Sequence, residues 1–227
     1  MEQERPFPDR REAGRLLAEA LAQYAGREDV VVLGLPRGGV PVAYEVAAAL
    51  RVPLDVFVVR KLGFPDQPEL AMGAVASGGI RVINERVVRE TGVPEDVIEE
   101  VARREQAEVE ERERRYRDGR PPLEVRGKTV ILVDDGLATG STMRAAAEAL
   151  RRQGPAALVV AVPTAARSTC EELGREVDEV VCARTPEPFW AVGAWYEDFE
   201  QTSDDEVREL LAQARAERSG EPRRFAA

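Results

Sequence analysis

The run Val130-Ile131-Leu132-Val133-Asp134-Asp135-Gly136-Leu137-Ala138-Thr139-Gly140-Ser141-Thr142-Met143 changes character twice. It begins as an unbroken apolar strand, of the kind buried on both faces of a parallel sheet. Two adjacent acids follow, then small and hydroxyl residues, then a helix expected from Thr142 to Arg152. At the carboxyl edge of a parallel sheet, such a loop lies where ligands bind. Small residues let the backbone approach a ligand closely. The N–H groups at the helix start favour an anion, by ~0.3–1 kcal/mol at an exposed site. Thr139, Ser141 and Thr142 add hydroxyl donors, and together these features describe a phosphate cradle. The acids suit a ligand with hydroxyls beside its phosphate, because a carboxylate only accepts hydrogen bonds and so takes those of a diol. They also suit a water-shelled Mg²⁺. A sugar phosphate satisfies both halves. No GK[ST] follows, as in a Walker A loop, and no GxGxxG follows the first strand. An acid that merely caps the helix would stand closer to it.

Outward from this run, the chain alternates strands and helices. Asp9 with Glu12 has the spacing of a capping box, Ala13 to Tyr24 carries one apolar face, and Gly26 suits a helix C-terminus. Val30 to Leu35 reads as a buried strand, Val42 to Leu50 as a helix, and Leu54 to Val59 as a second strand: a βαβ unit and hence a parallel sheet. Lys61 to Leu70 reads as an exposed loop. Ala71 to Ala76 and Ile80 to Ile83 flank Ser77-Gly78-Gly79 as a hairpin. Pro94 to Arg117 is a long charged helix with a thin apolar stripe (Val97, Ile98, Val101, Val109, Tyr116), read as a solvated face or an oligomer contact. Ala157 to Val162 and Val177 to Cys182 are further strands, and Ser203 with Glu206 opens a last helix reaching about Arg218, before residues expected to fray.

Composition excludes more than it assigns. The 227 residues include no histidine, so a Ser-His-Asp triad, a Cys-His pair and an HExxH zinc site are ruled out. Two cysteines, Cys170 and Cys182, make neither a four-cysteine metal site nor a disulfide framework, and read as plain core or near-core residues. A net charge of −10 argues against nucleic-acid binding. The charged start MEQERPFPDRREAG lacks an apolar leader, and no apolar run approaches the ~20 residues of a membrane span. A cytoplasmic, reducing location is expected. Of 32 basic residues only Lys61 and Lys128 are lysine.

With these elements in this order, the chain resembles the type I phosphoribosyltransferases. Their signature is an apolar strand, two acids and a small-residue loop ending in Thr-Gly-x-[ST]. The resemblance implies an α/β fold, a central mostly parallel sheet flanked by helices, with a small hood. It implies that Asp134 and Asp135 contact the ribose hydroxyls of 5-phosphoribosyl-1-pyrophosphate (PRPP), with Mg²⁺ near them through water. It also implies that Leu137, Ala138, Thr139, Gly140, Ser141 and Thr142 hold the 5′-phosphate. Gly34 to Val40 looks like the family's pyrophosphate loop: Arg37 would meet the pyrophosphate, Gly38 and Gly39 would expose N–H groups, and Pro36–Arg37 is a candidate cis peptide. Alone, this loop reads as an ordinary Gly-rich turn. Lys61 is implied as a pyrophosphate contact beside a closing loop, against a plain surface charge. Phe189, Trp195 and Tyr196, within the aromatic segment 186–199, either stack a base or form a satellite apolar cluster.

A single domain over residues 1–227 is expected. Its core spans about 28–183, its hood comes from 184–202 with the helix 9–25, and 94–117 is an insertion. One position departs from the pattern: 6-oxopurine members carry an acid where Ala138 stands, which disfavours those bases. Glu197 or Asp198 are substitutes for its proton-accepting role. The expected activity is Mg²⁺-dependent phosphoribosyl transfer from PRPP to a nitrogenous base, in a homodimer without nucleic-acid or membrane partners. The alternatives are a non-catalytic PRPP- or nucleotide-binding regulator, and phosphorolysis or hydrolysis on the same cradle.

Overall fold

The computed structural model describes residues 5–64 and 70–219. The expected closing loop falls partly on 65–69, and the expected frayed end on 220–227, outside the described residues. In chain order the elements are α1 (Arg10–Ala20), β1 (Val30–Gly34), α2 (Gly39–Leu50), β2 (Leu54–Val56), β3 (Val59–Gly63), β4 (Ala71–Ala76), β5 (Ile80–Ile83), α3 (Glu85–Thr91), α4 (Glu95–Arg117), β6 (Thr129–Val133), α5 (Ser141–Arg152), β7 (Ala157–Thr164), α6 (Arg167–Leu173), β8 (Glu179–Arg184) and α7 (Asp204–Ser219).

Five strands form a parallel sheet in the order β2-β1-β6-β7-β8. This is the α/β architecture expected. The apolar runs are unbroken because alternate residues feed two cores. Val30, Val32, Ile131, Val133, Val159 and Ala161 join the core under α1 and α2. Val31, Leu33, Val130, Leu132, Leu158 and Val160 join the core under α5.

Strand order fixes where a ligand can bind. From β1 the chain moves outward through α2 to β2, and from β6 it moves the other way through α5 to β7. The two helices lie on opposite faces, so a crevice opens between the carboxyl ends of β1 and β6, the topological switch point.

The structure differs from expectation in several places. The second strand stops at Val56: the Phe57 N–H still donates to the Gly34 carbonyl of β1, but the Val58 N–H turns away to the Ser77 hydroxyl. Val59 then opens β3, which pairs antiparallel with β4 and makes the hairpin a three-stranded sheet. Lys61 is therefore a strand residue rather than the start of a loop. Helix α1 ends at Ala20, and Gly26 (φ +69°) instead closes a short 3₁₀ turn, donating to the Leu50 carbonyl. The helices α3 and α6 are short and escaped the apolar-periodicity reading. Helix α4 is more than a solvated face: Arg117 is buried against Asp55 at 2.9 Å and also donates to the Val56 carbonyl. Among the described residues, no helix is long and apolar enough to cross a membrane.

Candidate functional site

The crevice is built by two loops on neighbouring strands. After β1 the Leu35 N–H donates to the Val133 carbonyl at 2.8 Å, which holds the first loop against the start of the second. The Pro36–Arg37 peptide is cis, as the resemblance implied. Gly38 and Gly39 then lead into α2 directly above the acids. A Cβ on Gly38 would stand 2.0 Å from an Asp135 carboxylate oxygen, and one on Gly39 would stand 2.8 Å from the Asp134 Cα. Gly38 has an ordinary helical φ of −60°. Close approach, not backbone freedom, is what requires a glycine there. The two glycines differ in their donors: the Gly39 N–H is spent on the Leu35 carbonyl at 3.0 Å, whereas the Gly38 N–H has no protein acceptor among the described residues.

The second loop presents a row of unused donors. The N–H groups of Ala138, Thr139, Gly140, Ser141 and Thr142 have no protein acceptor among the described residues. Gly140 takes the left-handed conformation (φ +68°) and starts α5, with no side chain capping the helix. The loop's outer side is held instead: the Leu137 N–H bonds the Thr164 carbonyl, the Thr169 hydroxyl bonds the Ala138 carbonyl at 2.7 Å, and Arg144 bonds the Thr139 carbonyl. Carbonyls bound outward and N–H groups left free make an anion-binding concavity at a helix start.

The two acids sit beside this row. An Asp134 oxygen accepts the Asp135 N–H at 2.9 Å. Burial pushes the Asp134 carboxyl well above its usual range, and the adjacent Asp135 charge adds to this. Burial also raises Asp135, opposed by Arg10. Arg10 Nε donates to Asp135 Oδ2 at 2.9 Å, leaving Oδ1 without a partner among the described residues. Gly136 must also be small, since a Cβ there would meet Val192 at 2.5 Å.

The remaining predicted residues are more scattered. Arg37 is about one-third exposed, and its guanidinium lies 3.9 Å from Asp204 at the start of α7. Lys61 and Ser141 line one cleft of about 740 Å³ on the flank of α5, with Arg144 and Glu148; Arg37 does not line it. Tyr196 is buried against Phe7, and its hydroxyl donates to the Asp135 carbonyl at 2.6 Å. It therefore offers no open stacking face, because the pairing of Phe7 with Tyr196 closes over it. Trp195 and Phe189 are half-buried. Phe199 is stacked on Tyr196 with ring centres 5.0 Å apart and carries the Arg10 guanidinium 4.0 Å from its ring centre, whereas Trp190 is exposed. Glu197 and Asp198 are exposed.

Sequence reading missed Arg10 and Thr169, because neither shares a motif with the residue it contacts. It also misread the cysteines. Cys170 of α6 and Cys182 of β8 form a disulfide. Their separation of 12 residues carries no motif, but the turn between α6 and β8 brings them together.

The phosphoribosyl transferase domain profile matches residues 9–198. A Mycobacterium tuberculosis protein provisionally named a phosphoribosyl transferase is 50% identical over 208 residues, 92% of this chain and 47% of its own length. The chain thus spans about half the length of that relative. A bifunctional protein PyrR of a Roseiflexus species is 31% identical over 160 residues, 67% of this chain and 65% of its own length. Among solved structures, a Thermus thermophilus protein is 46% identical, with a TM-score of 0.81 over 92% of this chain and 98% of its own.

Proposed function

This chain belongs to the phosphoribosyl transferase domain family, and we propose that it moves the phosphoribosyl group of PRPP onto a nitrogenous base, with Mg²⁺. The observation that carries the reading is the row of five unpaired N–H groups, Ala138 to Thr142, beside the Asp134–Asp135 pair in one crevice. The row suits a 5′-phosphate. Asp135 Oδ1 and the outer lone pairs of Asp134 suit the ribose diol. Arg37 and the free Gly38 N–H suit the pyrophosphate. The 192–199 segment, anchored by Tyr196, would cover the acceptor side. Lys61 would serve a ligand that extends along α5.

The donor set fits a weakly held cation. Among the described residues no three ligating side chains converge, so the protein alone offers no full coordination shell. Two carboxylates suit a Mg²⁺ that keeps waters and takes other oxygens from substrate. When bound, the ion would neutralise charge on the departing pyrophosphate. The protein's own share is positioning and fixed dipoles. The cradle holds the 5′-phosphate end, the acids hold the ring and place negative charge near a cationic ribose, and the glycines allow the two loops to close tightly around both.

A 6-oxopurine acceptor is disfavoured, because the methyl of Ala138 takes no proton from a ring nitrogen. That same alanine supports a second reading, a non-catalytic PRPP- or nucleotide-binding regulator. A panel of purine and pyrimidine bases, assayed for pyrophosphate release with PRPP and Mg²⁺, separates the two. Base-dependent release is expected. PRPP binding without release from any base would favour the regulator.

A further inference from the structure

Arg10 is the first residue of α1, yet its guanidinium lies in the crevice. It is nearly buried, with a side chain 12% exposed. Nε donates to Asp135 Oδ2 at 2.9 Å, and Nη1 donates to the Glu200 carbonyl at 2.7 Å. Its carbon centre lies 4.0 Å from the Phe199 ring centre and 5.9 Å from that of Tyr196. A Cβ on Gly38 would come within 3.3 Å of Nε. One side chain thus touches or closely approaches the pyrophosphate loop, the acid pair and the 196–200 segment.

The chemistry of arginine suits this placement. Its planar fork sends donors in fixed directions, so one group can serve a carboxylate and a carbonyl while its face lies on an aromatic ring. A carboxylate has about four lone-pair positions, so the pairing leaves Asp135 Oδ1 free for a substrate hydroxyl. The ion pair therefore aims the carboxylate and does not block it. Asp135 has no other side-chain partner among the described residues.

We propose that Arg10 is a positioning residue: it orients the Asp135 carboxylate toward the ribose hydroxyls and ties the 196–200 segment over the same site. The inference rests on reading Asp135 as a ribose ligand. It concerns the ribose and leaves the pyrophosphate loop, which has its own donors, unaffected.

The test compares PRPP with inorganic pyrophosphate by titration calorimetry in Mg²⁺, using wild type, Arg10→Gln, Arg10→Lys, Asp135→Asn and the Arg10→Gln/Asp135→Asn double variant. Circular dichroism establishes that each is folded. Arg10→Gln is expected to weaken PRPP about 10- to 30-fold, the scale of one charge-assisted hydrogen bond, with pyrophosphate affinity unchanged. Arg10→Lys recovers part of the loss, since an ammonium restores the charge but not the fork. In the Asp135→Asn background, Arg10→Gln costs no more than about twofold, because the two residues act as one unit. Wild-type PRPP affinity in Arg10→Gln, equal losses for both ligands, or fully additive losses in the double variant would each overturn the proposal. Wild type that fails to bind PRPP would instead overturn the functional reading itself.

Discussion

The cradle and its cover are built in opposite ways. The cradle comes from one stretch, Asp134 to Thr142, whose geometry is set by the end of β6 and the start of α5. The cover gathers Phe7 and Arg10 from the start of the described chain and Val192, Tyr196 and Phe199 from the segment between β8 and α7, bridged by Phe7 pairing with Tyr196. Arg10 and Asp135 are separated by 125 residues. Local backbone geometry can thus be read from spacing, whereas the cover exists only because the segment before α1 and the segment between β8 and α7 meet beside the cradle. The cradle's donors are also free, while the cover's polar groups are mostly spent on holding it in place.

The sharpest way to break the contrast is at the seam between the two loops. Gly38→Ala needs no backbone change, but its methyl would occupy the space of the Asp135 carboxylate. A displacement of that size is expected to weaken PRPP on the order of 100-fold. Calorimetric affinity equal to wild type would show that the acid is not held where the structure puts it.

A smaller effect should come from the scaffold below the cradle. The Cys170–Cys182 disulfide ties α6, which carries the Thr169 hydroxyl that holds the Ala138 carbonyl. Replacing both cysteines with serine should cost about 2–3 kcal/mol of stability for a loop of this length, read by denaturant unfolding. A thiol assay on unreduced, unfolded wild type should find no free thiols; two would remove the disulfide from the account.

On the cover, Tyr196→Phe removes one hydroxyl from a buried ring and leaves the Asp135 carbonyl without that donor. About 1 kcal/mol of stability should be lost. An unchanged unfolding midpoint would mean that the segment is held by its apolar contacts alone.

The last effect is predicted in sign. Burial raises the Asp134 carboxyl, so the folded state holds its proton more tightly than the unfolded chain. Stability therefore falls as pH rises from the ordinary carboxylate range through the raised value, and the full cost is present above it. Asp134→Asn removes that cost and can still accept the Asp135 N–H. The variant should be more stable than wild type at pH 8, with the gap closing as pH falls. A variant less stable at pH 8 would contradict the burial of an unfavourable charge.

Much of the architecture was legible because the strands Val30–Gly34 and Thr129–Val133 are unbroken apolar runs with glycine-rich or acidic ends. The parallel sheet followed from the helix between Val30–Gly34 and the next strand, Leu54–Val56. The glycines at 38 and 39 were visible as a motif, but their reason, the approach of two carboxylates, was not. Lys61 was misplaced because polar and glycine-rich sequence around it hides an edge strand. For Tyr196 the sequence left base stacking and a satellite apolar cluster both open, because composition shows an aromatic cluster without showing which face Phe7 covers; the structure places it in the cluster. Arg10 was invisible among so many arginines, since only folding singles out the one that meets Asp135.

The central claim, that the acids and the free N–H row together form a PRPP site, is tested most directly by titration calorimetry of PRPP with Mg²⁺ against wild type and the Asp134→Asn/Asp135→Asn double variant. Clear binding by the wild type is expected, with a loss of at least about 100-fold in the variant, for two charge-assisted contacts. Equal binding by both folded proteins would contradict it.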